Sequence, residues 1–170
     1  MNALTKGLLV GAVQVLLVAS VGAKFVYDRA NYPRVWVETA PYDPDLPIRG
    51  RYVSVAVLVD VQRDPSAEAT GRPGADEVFG SRLAVRDGRL LGIEDADGGH
   101  WVVNARCGAA RCWRLTEPVA YFIPEHVEDP SRRPAGEALW VEVTVPPRGS
   151  PRPIRLGVKK GDALTPLVLR

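Results

Sequence analysis

The sequence contains few of the residues that bind metals or serve as catalytic bases. Its 170 residues include only two histidines and two cysteines. His100 and His126 have no partner at a metal-ligand spacing, and Cys107 and Cys112 lack the further ligands that a zinc site requires. No serine lies in a recognisable nucleophile motif. We therefore predict no metal site, no cofactor and no catalytic residue, and we favour a protein that is not an enzyme.

The chain also has no large excess of positive or negative charge. The formal net charge is +2, and the arginines are interspersed with acidic residues instead of forming a basic cluster. Proteins that bind nucleic acids usually carry such a cluster, often with interleaved aromatic residues. The sequence therefore predicts no nucleic-acid partner.

One long apolar run, residues 7–27, has no counterpart elsewhere in the chain. Gln14 and Lys24 are its only strongly polar residues, and about 20 apolar residues are enough to cross the core of a bilayer. We predict a single-pass membrane anchor at residues 7–27, preceded by a short cytoplasmic tail, residues 1–6. A linker, residues 28–33, would lead to a single domain at residues 34–170.

Two other interpretations of the apolar run remain open. Lys6 and the small residues that end at Ala23 are typical of a cleaved signal peptide, whose apolar region is usually shorter. A buried core helix is the second alternative. The flanking charges do not decide the orientation, but a large domain after one span is usually exported regardless of charge. We therefore predict a location in the inner or plasma membrane, with the C-terminal domain outside the cytoplasm.

Cys107 and Cys112 flank a short predicted turn, residues 108–111. Strand-like residues lie on both sides, and cross-strand neighbours in a hairpin have the Cα separation that a disulfide needs. We predict a structural disulfide between these cysteines, which would suit an exported domain. Two free thiols, or a redox or metal pair, are the alternatives, although redox pairs are usually separated by two residues.

Alternating apolar residues predict an all-β domain. The 15 prolines and 16 glycines are spread along the chain, which favours short strands and turns over long helices. In the clearest strand, residues 51–61, valine recurs at every second position from Val53 to Val61. Asp87 and Gly88 predict a hairpin turn. We expect a compact antiparallel sandwich or barrel of about eight to nine short strands.

Two segments resemble the GDYXXLXY-domain membrane proteins. Residues 35–55 contain the family's Pro-rich approach and its signature strand, in which Gly50 and Tyr52 match the family pattern. Arg51 replaces the signature Asp, so the chain resembles a divergent member. A later segment, Tyr121-Phe-Ile-Pro-Glu125, is similar to the family's Tyr-Phe-Val-Pro-Glu element. The resemblance implies a membrane-anchored exported domain, often accompanied by a multi-pass membrane protein, and it supplies no catalytic residues.

These observations favour an interaction or assembly module that acts with a membrane partner. The candidate binding residues are those of the two family-like segments: Arg49, Gly50, Tyr52, Tyr121 and Glu125. The alternative functions are an envelope hydrolase that uses a serine and a lysine, and a secreted binding protein. An enzyme should have convergent polar side chains in a cleft, whereas an interaction module should expose an apolar patch or a free sheet edge.

Overall fold

The computed structural model describes residues 2–42, 52–63, 77–107 and 110–169. The chain divides into two compact units, Met1–Tyr32 and Pro33–Arg170. The first unit is a single helix and the second is the β-domain. The all-β domain after an apolar helix is therefore confirmed.

Helix α1 extends from Ala3 to Asn31 and is longer than the predicted span at both ends, because residues 3–6 of the predicted tail and residues 28–31 of the predicted linker also belong to the helix. Its 29 residues measure about 43 Å at 1.5 Å per residue, against about 30 Å for a bilayer core. The mean hydropathy of its most apolar window is 2.0. The helix ends before Pro33, because a residue that precedes proline avoids the helical conformation and Tyr32 is extended. By length and composition α1 can cross a membrane, a test that signal sequences also pass.

The described part of the β-domain contains eleven strands. They are β1 (Arg34–Pro41), β2 (Tyr52–Val57), β3 (Asp60–Gln62), β4 (Val78–Arg86), β5 (Arg89–Glu94), β6 (His100–Cys107), β7 (Ala110–Leu115), β8 (Val119–Phe122), β9 (Glu137–Thr144), β10 (Arg152–Lys160) and β11 (Ala163–Pro166). A six-stranded sheet has the order β11-β10-β9-β1-β2-β8, and a five-stranded sheet has the order β3-β5-β4-β6-β7. All described pairs are antiparallel except β3 and β5, which are parallel.

Two strand-like runs of the sequence, residues 51–61 and 113–123, are each divided between two strands in the structure, which raises the strand count above the predicted eight to nine. The run 51–61 changes sheets after Val57: the N–H of Leu58 donates to the carbonyl of Glu38, and the N–H of Val59 donates to the carbonyl of Trp113, both at 3.0 Å. β2 therefore belongs to the first sheet and β3 to the second. The run 113–123 breaks around Pro118, which has no N–H to donate to a ladder.

The core is built mainly from valines that alternate along the strands. Val55, Val57, Val141 and Val143 are almost completely buried, and β-branched side chains suit a pleated surface with little loss of rotamer freedom. Phe79, Leu90, Val102 and Leu115 contribute from the five-stranded sheet. The two sheets therefore share one apolar core.

Candidate functional site

Those of the predicted binding residues that the structure describes do not all lie on one surface. Tyr52 lies opposite Phe122, and Val53 lies opposite Tyr121. Directly opposed residues point to the same side of a sheet and successive residues point to opposite sides, so Tyr52 and Tyr121 occupy different faces. Tyr121 packs against the core, and Glu125 is exposed after β8. The other two predicted residues, at positions 49 and 50, lie outside the described residues.

Tyr52 instead forms an exposed aromatic pair with Phe122. The ring centroids are 5.6 Å apart in an edge-to-face arrangement. Tyr52 is 56% exposed and Phe122 is 60% exposed. Both lie at the β8 side of the six-stranded sheet, where β8 is the terminal strand. We call this surface the aromatic edge. Phe122 was not among the predicted binding residues. Because successive residues of a strand face opposite sides, an inward-facing Tyr121 implies that Phe122 faces outward.

A groove of about 620 Å³ is lined by residues from both sheets. We call it the tryptophan groove; it is lined by residues 36–38, 58–61, 87–90, 112–113, 140 and 159. Its volume falls within the range of small-ligand sites, about 300–1,000 Å³. Three of the four tryptophans of the chain, Trp36, Trp113 and Trp140, line it. The sequence did not predict this groove, because its walls come from strands distant in the chain.

Cations cover two of the groove tryptophans. The Arg155 guanidinium lies 5.3 Å from the ring centroid of Trp36, and the Lys159 ammonium lies 4.6 Å from that of Trp140. Arg155 also donates to Glu142 at 2.6 Å. Trp36 packs so closely on Gly157 that an added Cβ would lie 2.9 Å from its ring. Trp36 is therefore held by packing and by a cation–π contact, and Trp140 by a cation–π contact.

Part of one backbone edge of β1 has no partner strand among the described residues. β1 pairs with β9 through residues 34–38 but with β2 only from Thr39 onward. The carbonyl of Glu38 accepts a hydrogen bond from Leu58 on the side away from β9. Backbone groups two residues apart in a strand point the same way, so the N–H and C=O of Trp36 also face this side. No described backbone group pairs with them there.

The cysteine prediction is confirmed. Cys107 and Cys112 are at disulfide-bonding distance, with their Cα atoms 5.7 Å apart, within the range that the bond needs. They lie diagonally across the β6–β7 hairpin, because Cys107 is opposite Ala110 and Cys112 is opposite Ala105. Cys112 also lines the tryptophan groove. The bond therefore joins the strand that carries Trp113 to its neighbour.

Arg63, which directly follows β3, forms ion pairs with Glu77, just before β4, and with Glu94, at the end of β5. The N–O distances are 2.5 Å to Glu77 and 3.5 Å to Glu94, and each of the three side chains is about one quarter exposed. The hydrogen bond to Glu77 is the largest influence on the guanidinium and raises the pKa of Arg63. The same group lies over the rings of Phe79 and Trp113. These charged groups therefore stabilise the fold, because they pair with one another within the cluster.

The two histidines lie in different surroundings. His100 is 9% exposed and lies at the start of β6, whereas His126 is exposed. Burial lowers the pKa of His100, and the negative charge of Glu117 opposes this shift. Among the described residues, no group of three or more potential ligands could hold a metal ion.

We expect His100 to make stability depend on pH. Because its folded-state pKa is lowered, the unfolded state binds the proton more readily, so its contribution is present above about pH 6.5 and is lost as the pH falls. One group changes the free energy of unfolding by at most about 1.4 kcal/mol per pH unit. Urea titrations between about pH 7.5 and 5 should show a shallower decline for His100→Gln than for the wild type. His126→Gln is the control and should keep the wild-type decline; equal slopes in all three proteins would contradict the prediction.

Comparison with known proteins finds no match. The chain matches no protein-family model, no curated protein and no solved structure. A function therefore has to be inferred from the features of the chain itself: a membrane-length helix, the aromatic edge and the tryptophan groove.

Proposed function

We propose that the protein is a membrane-anchored interaction module whose β-domain docks an extracytoplasmic segment of a membrane protein. Helix α1 holds the domain at the membrane, because its long apolar surface is favourable only in lipid or against another protein. The cysteine pair supports a location outside the cytoplasm, since disulfides persist mainly in oxidising compartments. The resemblance to the GDYXXLXY-domain family, whose members often accompany a multi-pass membrane protein, supports the same partner class.

The aromatic edge carries this proposal. Tyr52 and Phe122 expose more than half of their surface, although aromatic side chains usually gain from burial. Exposed aromatic residues at the centre of an interface are common anchors of binding energy. A terminal strand such as β8 also offers backbone groups to an incoming chain. The combination fits a docking surface better than a catalytic cleft.

The test is site-specific photo-crosslinking in native membranes with the full-length protein. A photoreactive phenylalanine at position 122 should attach to a protein that mass spectrometry identifies as having several membrane spans. Phe122→Asp should lower recovery of that partner about tenfold, because losing an aromatic anchor costs at least about 1.4 kcal/mol. Trp101 is a matched control: it is 57% exposed, close to the 60% of Phe122, but lies on the other sheet.

Equal attachment from positions 122 and 101 would contradict docking at the aromatic edge. Unchanged recovery with Phe122→Asp would contradict it as well. A partner that attaches from position 159 but not from position 122 would assign docking to the tryptophan groove instead.

A second candidate function is capture of an extended peptide in the tryptophan groove. The observation that favours it is the unpaired backbone edge at Trp36. An extended peptide could pair with this edge as an added strand, with its side chains against the groove tryptophans. This function corresponds to the binding-protein alternative, and the crosslinker at position 159 separates it from the first.

A further inference from the structure

A smaller cavity, of about 240 Å³, shares no lining residue with the tryptophan groove. It is lined by Thr39, Val55, Ser131, Arg133 and residues 137–139. Val55 is 1% exposed and Leu139 is 5% exposed, so part of the lining belongs to the core. We call it the Arg133 cavity. It has room for several water molecules or for a compact organic molecule.

The segment between β8 and β9 places Arg133 in this cavity through two local turns. The side chain of Asp129 accepts a hydrogen bond from the N–H of Ser131 at 2.8 Å, which is an Asx-turn. The N–H of Glu137 donates to the carbonyl of Pro134 at 3.1 Å. Gly136, between them, has a φ of +87°, as the third position of a type II turn requires. Arg133 lies between the two turns and is half-buried.

The guanidinium of Arg133 has an unmet hydrogen-bonding requirement. Its Nε is buried, and no described group accepts a hydrogen bond from it. A buried donor without a partner costs about 1–3 kcal/mol. The acid that lines the cavity, Glu137, is paired with Lys160 at 3.4 Å and forms no ion pair with Arg133. Among the described residues, no carboxylate therefore neutralises Arg133.

We propose that the Arg133 cavity binds a small organic carboxylate with a short apolar tail. The planar guanidinium matches the two oxygens of a carboxylate. Ser131 adds a hydroxyl that can donate, and Val55 and Leu139 are apolar members of the lining. A phosphate dianion fits less well, because the lining contains one unpaired cation and the carboxylate of Glu137.

Butyrate and its neutral analogue butyramide are suitable probes for binding to the full-length protein in nanodiscs. Saturation-transfer NMR should detect butyrate binding and no butyramide binding. Arg133→Gln should weaken butyrate binding by about tenfold or more, since a hydrogen bond to a charged group contributes about 1.5–3 kcal/mol. Arg132→Gln removes the same charge from an exposed neighbour and should bind like the wild type. Ser131→Leu should also abolish binding, because it fills the cavity while keeping Arg133.

Thermal unfolding of each variant verifies that it is folded before binding is measured. Equal binding of butyrate and butyramide would overturn the proposal, because the charge would then contribute nothing. Equal weakening by Arg132→Gln and Arg133→Gln would overturn it as well, since it would show general charge attraction. Binding of inorganic phosphate without binding of butyrate would reject the carboxylate.

Discussion

Replacing Gly98 by alanine should destabilise the β-domain more than alanine at any other described glycine. A Cβ at this position would overlap the carbonyl carbon and oxygen of Ser81 and come within 2.5 Å of the amide nitrogen of Arg82. These atoms belong to β4, whose backbone is held on both sides by β5 and β6. Because neither neighbour allows β4 to move, we expect a loss of about 3 kcal/mol or more in the free energy of unfolding.

The clash follows from the topology of the five-stranded sheet. β4 lies between β5 and β6, so the connection from β5 to β6 must cross β4. That connection, residues 95–99, lies directly against it: the N–H of Asp95 donates to the carbonyl of Gly80 at 2.9 Å. Gly80 also lacks space for a side chain, since an added Cβ would lie 2.9 Å from the carbonyl oxygen of Asp95. Close approach of two backbones is therefore what requires glycine at both positions.

Thermal unfolding of the full-length protein in detergent measures the effect, which corresponds to a lower Tm by about 10 °C. Two variants in the same turn serve as controls. Asp97→Ala changes an exposed side chain and should stay within about 0.5 kcal/mol of the wild type. Gly99 has open space around it but a φ of +77°, so Gly99→Ala should cost only the strain of that backbone, about 1–2 kcal/mol. A Gly98→Ala protein as stable as Asp97→Ala would contradict the close packing.

The sequence predicted the strand faces well, because alternation is a local property. Val53, Val55 and Val57 are buried as expected, and the Asp87-Gly88 hairpin is present. Alternation could not show that the chain changes sheets at Leu58, because valine continues at every second position through that point. A change of sheet depends on partners elsewhere in the chain, in this case Glu38 and Trp113.

The functional surfaces were harder to predict because they depend on register between strands. Tyr52 and Tyr121 were grouped because each lies in a family-like segment. In the structure Val53, not Tyr52, lies opposite Tyr121, so the two tyrosines are on different faces of the sheet. Arg133 lies in a stretch with no periodic pattern, and its importance appears only when the cavity and its buried Nε are seen. The Asp- and Gly-rich sequence around Gly98 indicates only a turn, and the contact with β4 that requires glycine there is visible only in the structure.

Removing the side chain of Arg63 should also destabilise the β-domain strongly. Its guanidinium serves two carboxylates, of Glu77 and Glu94, and two aromatic rings, of Phe79 and Trp113. Arg63→Ala removes these contacts and leaves two partly buried carboxylates beside each other without a cation. Hydrogen bonds to charged groups contribute about 1.5–3 kcal/mol and a cation–π contact about 0.5–1 kcal/mol. We expect a loss of about 2–4 kcal/mol in the free energy of unfolding.

Equilibrium urea unfolding of the full-length protein measures this loss, and two further variants identify its cause. Arg89→Ala breaks an ion pair with Asp60 in which both side chains are more than half exposed, so it should cost less than about 1 kcal/mol. Adding Glu77→Gln and Glu94→Gln to Arg63→Ala removes the uncompensated charges and should restore part of the lost stability. If the triple variant is no more stable than Arg63→Ala, unpaired charge is not the cause. Equal losses for Arg63→Ala and Arg89→Ala would show that Arg63 acts as an ordinary surface cation.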